Sequence, residues 1–111
     1  MPEPVPYTHA EWRVKPGRES EFVAAWRALA DAFAALDRPP LWGTLLQSES
    51  EPRVFYSFGP WRSAADVAAM RSDPEAQAAI GRVVDLCESA APGPCLLVAH
   101  VEVREPGPRP G

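Results

Sequence analysis

The sequence predicts an α+β domain in which a four-stranded antiparallel sheet carries two helices on one face, in the order β-α-β-β-α-β. Three observations predict it. Residues 7–15 alternate between apolar and polar side chains, and residues 19–36 repeat apolar side chains at three- and four-residue steps. Two strand-like runs then flank the polar, proline-closed turn Ser48-Glu49-Ser50-Glu51-Pro52, and a tryptophan passes the second run into a further helical region.

The first strand is Tyr7 to Lys15, with Thr8, Ala10, Trp12 and Val14 on its apolar side and His9, Glu11, Arg13 and Lys15 on its polar side. Pro16-Gly17 turns the chain, and Glu19 and Glu21 follow where negative charge suits the amino end of a helix. Phe22, Trp26, Leu29, Phe33 and Leu36 give that helix one apolar face. Arg38-Pro39-Pro40 stops it.

Leu41 to Gln47 and Arg53 to Phe58 form a hairpin about the 48–52 turn. Phe55, Tyr56, Phe58 and Trp61 suit a half-buried pleated surface, and Ser63 with Asp66 is a helix-start signal. Trp61 therefore stands between sheet and helix as the hub of the core and of any pocket. The second helical region breaks at Ser72-Asp73-Pro74-Glu75, where Asp can cap and Pro can open a new helix. Beyond the break Ile80, Val83, Val84 and Cys87 are expected to face inward. Pro92-Gly93-Pro94 is expected to end the helix, and Leu96 to Arg104 to form the last strand, with Leu97, Ala99, Val101 and Val103 on one side. The order and faces describe a ferredoxin-like fold. Its uncovered sheet face holds enough apolar residues to suggest a partner subunit.

At 111 residues the chain is one domain, able to bury roughly two thirds of its unfolded surface without disulfide or metal. The domain is taken as 7–104, between proline-rich tails at 1–6 and 105–111 that resist regular structure. A net charge of −4, one lysine (Lys15) and dispersed arginines leave no basic stripe for nucleic acid. No run approaches the ~20 apolar residues of a membrane span, and no apolar signal core opens the chain. A cytoplasmic protein is expected. Cys87 and Cys95 match neither a redox nor a zinc spacing; reduced core thiols are the plainer reading, and a bridge between them the other.

Val14-Lys15-Pro16-Gly17 leading to Phe22 and Trp26, and the aromatic strand ending at Trp61 before Arg62-Ser63-Ala64-Ala65-Asp66, resemble the antibiotic biosynthesis monooxygenase family of the dimeric α+β barrel superfamily. The resemblance implies a homodimer joined through the sheet faces, with a pocket in each subunit between sheet and helices. It implies a cofactor-independent monooxygenase acting on a hydrophobic aromatic small molecule of phenol or quinol type. The alternative is a non-catalytic homodimer of the same fold that binds such a molecule. The haem-degrading branch is disfavoured unless His9 or His100 ligates the iron from a strand. Its tryptophan matches Trp61, but its asparagine falls near Ala10 in a chain that contains no asparagine, and its histidine falls at Ala79 or Ile80.

Within this frame Trp61, Tyr56 and Arg71 are the candidate catalytic residues, with Thr8 a further polar group near the pocket. Trp12, Trp26, Phe33 and Met70 are the candidate substrate-binding residues. Aromatics at these spacings also suit a plain core. No cofactor is expected and no metal. His9 and Glu11 could meet His100 and Glu102 if the first and last strands pair, as a metal or base cluster or, more simply, as polar interface residues beside Arg13 and Arg104. No Ser-His-Asp set or phosphate loop occurs.

Overall fold

A computed structural model describes residues 4–103; residues 1–3 of the expected N-terminal tail, Arg104 and the whole expected C-terminal tail lie outside the described residues. The elements are β1 (Pro6–Val14), α1 (Glu19–Ala34), β2 (Thr44–Gln47), β3 (Val54–Pro60), α2 (Ala64–Ser72), α3 (Pro74–Val84) and β4 (Cys87–Leu96). The strands form one antiparallel sheet in the order β2-β3-β1-β4, the ferredoxin-like arrangement expected.

Local chemistry sets the boundaries. Gly17 turns at φ 77°, a left-handed conformation that glycine adopts without penalty. The Ser63 hydroxyl accepts the Asp66 amide at 3.2 Å and opens α2. At the expected break, Asp73 Oδ2 accepts the Ala76 amide at 2.8 Å and Pro74 takes the first helical position, so the second helical region is two helices.

The core follows from strand parity. Ala10, Trp12 and Val14 of β1, Phe55 of β3 and Cys87 of β4 are buried on one sheet face, beneath Phe22 and Leu29 of α1 and Ala79 and Val83 of α3. The Phe22 ring lies 5.7 Å from Trp12 and 4.7 Å from Phe55. Each such side chain, fully buried, adds on the order of 1.5–3 kcal/mol. A second cluster gathers Val67, Met70 and Ala76 about Trp61, which is 1% exposed, with Phe33 at 5.6 Å between ring centroids. Tyr7, His9, Glu11, Tyr56, Phe58 and Leu46 share the opposite face.

The last strand departs from the sequence reading. It begins at Cys87, so Cys87 belongs to β4 and not to a helix, Val84 is 41% exposed, and Pro92-Gly93-Pro94 lies inside the strand. Prolines are tolerated there because β4 is an edge. Pro92 and Pro94 stand opposite Ala10 and Thr8, while the Leu97 amide carries the bonding parity to Val5 O at 2.9 Å. The positions that lack an N–H therefore face away from β1. Residues 97–103 form no strand, and Val98, Val101 and Val103 are 94%, 80% and 89% exposed. The register places Gly93 opposite His9 and Ala91 opposite Glu11, so the expected cluster with His100 and Glu102 does not assemble. Among the described residues no group of His, Cys, Asp and Glu could hold a metal ion. Both cysteines are free; Cys87 is buried on the helix side, whereas Cys95 pairs with Tyr7 on the other face.

Candidate functional site

A largely apolar cavity of about 490 Å³ lies between the sheet and the helices. Its floor is Thr8, Ala10 and Trp12 of β1 with Ser57 and Gly59 of β3. Trp26, Leu29, Ala30 and Phe33 of α1 form one wall, and Met70, Arg71, Gln77 and Ile80 of α2 and α3 another. The loop Pro40–Gly43 closes the β2 side. That loop comes in tightly because position 59 is glycine: a Cβ there would collide with the Trp42 backbone oxygen, and Leu41 N already bonds Pro60 O at 2.9 Å.

Polar groups in this lining are few and ordered. Trp12 Nε1 donates to Ser57 Oγ at 2.9 Å, and Trp61 Nε1 donates to Thr8 Oγ1 at 3.0 Å. Gln77 donates its amide to Met70 O at 3.3 Å. Arg71 brings a guanidinium and His9 an imidazole, and no carboxylate belongs to the lining among the described residues. Cys87, outside the cavity, has its thiol pKa pushed up by burial, with Lys15 opposing weakly. Asp66 is 5% exposed; Arg38 Nε reaches its Oδ1 at 3.1 Å, while Oδ2 has no partner among the described residues. This pair ties the loop that follows α1 to the start of α2.

The structure brings Trp61, Arg71, Trp12, Trp26, Phe33 and Met70 into one lining, with Thr8 among them. Tyr56 is not with them. It stands opposite Glu11 and Leu46 on the other sheet face, because Ser57, its neighbour, takes the inward parity opposite Ala10. Trp61 contributes to the cavity and is also nearly sealed, so it is wall and core at once.

The sequence profile described as antibiotic biosynthesis monooxygenase matches residues 7–82. The chain belongs to the antibiotic biosynthesis monooxygenase family. No curated protein matches its sequence. Among solved structures, a mutant of SnoaB, a cofactor-independent oxygenase from Streptomyces nogalater, is 16% identical with a TM-score of 0.77 over 93% of this chain and all of that one. A candidate antibiotic biosynthesis monooxygenase from Bordetella bronchiseptica is 17% identical with a TM-score of 0.76, over 87% of this chain and all of its own. At these identities the likeness establishes the fold.

Membership in this monooxygenase family raises the haem-degrading branch, whose histidine has no counterpart on α3, although His9 stands in the cavity lining. Ala79 is 1% exposed within the core, Ile80 packs against both clusters, and neither carries a donor atom for iron. Sequence reasoning missed Ser57, Gly59 and Trp42. Ser57 was legible in principle, since a hydroxyl on the inward parity of an aromatic strand needs a polar partner, and Trp12 offers one. Gly59 and Trp42 had no local signal, because their meeting depends on the path of the 40–43 loop. No helix among the described residues is long and apolar enough to cross a membrane.

Proposed function

We propose that this family member is a cofactor-independent monooxygenase whose substrate is an aromatic small molecule of phenol or quinol type. The carrying observation is the cavity itself, with four tryptophans and two phenylalanines in its lining, two hydroxyls, one imidazole, one carboxamide, one guanidinium and no acid. Such walls favour a flat aromatic ligand. In the proposed reaction an anthrone-like ring methylene loses a proton to water, leaving a phenolate-stabilised carbanion held near Arg71. The carbanion transfers electrons to O2 and forms a C–O bond, and loss of water leaves a ring carbonyl. One CH2 and one O2 thus become one C=O and one H2O. The protein supplies orientation, desolvation and charge stabilisation. Trp61, Trp12, Trp26, Phe33 and Met70 hold the ring system; Tyr56, on the other face, has no part in it.

Oxygen uptake with anthrone tests this reading. Consumption equimolar with anthraquinone formed, above the rate given by heat-unfolded protein, is expected. Binding of anthraquinone without oxygen uptake would instead identify a non-catalytic member. A haemin titration should leave the Soret band unshifted.

The second part of the proposal is a homodimer through the uncovered sheet face. Trp42, 48% exposed, stacks edge-on against Tyr7 at 6.0 Å and Phe58 at 6.1 Å, and Leu46 beside them is 51% exposed. Glu11 and Arg13 lie on the same face, so a two-fold axis can set opposite charges across it. Light scattering should give twice the chain mass, and Phe58→Asp should shift it toward one. A wild-type monomer at micromolar concentration would exclude this assembly.

A further inference from the structure

The two indole N–H groups that the cavity floor could offer a ligand are already spent. Trp12 gives its proton to Ser57 Oγ and Trp61 gives its proton to Thr8 Oγ1, at 2.9 and 3.0 Å. A hydroxyl has one proton to donate and two lone pairs to accept with. Each of these oxygens has used a lone pair on an indole, which fixes its accepting side toward the tryptophan and turns its own proton elsewhere. Among the described residues neither proton has an acceptor, and both side chains line the cavity. Ser57 is 8% exposed, so its proton faces little besides the cavity. The two hydroxyls also stand together: Thr8 is opposite Gly59 and Ser57 opposite Ala10, a diagonal pair on the inward face of neighbouring strands. Gly59 puts no side chain between them and the cavity.

We infer that Thr8 and Ser57 form a hydroxyl donor pair that selects aromatic ligands bearing an oxygen acceptor, a carbonyl or phenolate oxygen, over bare aromatic hydrocarbons. Trp61 and Trp12 are then positioning residues, acting through the hydroxyls and offering the ligand ring faces and edges without a proton. This rests on the aromatic-ligand reading proposed above and adds the chemistry by which the site tells one such ligand from another. The physical basis is asymmetric. A ligand with an oxygen completes both hydrogen bonds, whereas a hydrocarbon of the same outline displaces water and leaves buried donors unpaired.

The probes are anthraquinone-2-sulfonate and anthracene-2-sulfonate, which share ring outline and sulfonate and differ in two carbonyl oxygens. Titration calorimetry on the wild-type chain should give an affinity at least about ten-fold higher for the quinone. Thr8→Val and Ser57→Ala should each lower the quinone-to-hydrocarbon ratio by about two- to ten-fold. Thr8→Ser, which keeps the hydroxyl, should preserve the ratio. Trp61→Phe should lower it by less than Thr8→Val, because it frees the Thr8 hydroxyl to rotate without removing it. A wild-type ratio near one, a ratio unmoved by both hydroxyl deletions, or failure of both probes to bind would overturn the inference. Should Thr8→Val fail to fold, Ser57→Ala and Thr8→Ser decide. Turnover is not the readout. A large ratio without oxygen uptake from anthrone keeps the donor pair and removes the oxygenase, and turnover with a ratio near one does the reverse.

Discussion

Trp61→Ala separates the two duties that the structure gives this residue. The indole is 1% exposed, packs on Val67, Met70 and Ala76, lies 5.6 Å from the Phe33 ring and bonds Thr8 at 3.0 Å. Deleting a buried tryptophan typically costs about 3–5 kcal/mol, from lost transfer energy and the void left behind. The lost hydrogen bond adds little, because the Thr8 hydroxyl lines the cavity and can turn to water there. Against a total stability on the order of 5–15 kcal/mol, the change removes about a fifth or more. At about 4–8 °C per kcal/mol for a domain near this size, the melting temperature should fall by roughly 12 °C or more. Urea unfolding followed by far-ultraviolet circular dichroism gives the loss without relying on the deleted fluorophore. Trp61→Phe should fall between wild type and alanine. A loss below about 1 kcal/mol in Trp61→Ala, far under the range for a buried tryptophan, together with abolished ligand binding, would refute the placement of the indole as a wedge beneath the helices. It would leave the residue as pocket wall alone.

Three further outcomes follow from the geometry. Gly59→Ala places a methyl group against the Trp42 carbonyl and the Gly43 Cα, both backbone, so the 40–43 loop must move; a loss of about 1–3 kcal/mol in urea unfolding is expected, with altered quenching of Trp42. Cys95 is exposed and Cys87 buried with its pKa raised by burial, so a thiol reagent at pH 8 should label one thiol quickly and the second only on unfolding. The folded chain holds the Cys87 proton more tightly than the unfolded one, so this residue's contribution is intact below the unfolded thiol pKa and is lost as pH rises from there through the raised folded value. Ala30→Leu extends a side chain into the cavity from α1; stability should hold or rise while binding of anthraquinone-2-sulfonate falls at least ten-fold, and retained binding would place the ligand elsewhere.

What was legible in the sequence was whatever a local period or a cap encodes. The alternation at 8, 10, 12 and 14 marked the buried side of β1, and the spacing of Phe22, Leu29 and Phe33 marked the face of α1. Ser63 and Asp73 announced both helix starts, since a side-chain oxygen three residues before a free amide is a local matter. The last strand was misplaced because Leu97, Ala99, Val101 and Val103 alternate better than the small and polar residues of Cys87–Leu96, yet the edge of β1 is filled by the segment that leaves α3 first. Prolines that would break an inner strand are harmless on that edge, so they misdirect a reading made without knowledge of strand order. Tyr56 and Ser57 show the remaining limit. One step of register separates the two faces, and that step is fixed by pairing with β1, not by anything between residues 53 and 61.

The cavity owes its volume to what its walls lack. Along α1 the row 26, 30, 34 begins with an indole and continues with two methyl groups, and Gly43, Gly59 and Gly93 add backbone without side chains around the same space. Large residues on those positions would bring the two hydrophobic clusters together, since Phe33 and Ile80 already touch both. Close packing is the ordinary end point for a protein interior, and a chain of 111 residues has little apolar area to spare. A gap kept at some loss of stability is what the ligand-binding role proposed above requires. It is the same gap onto which the Thr8 and Ser57 hydroxyls open, so in the proposed reading the volume and the only neutral O–H donors in its lining among the described residues would serve one occupant.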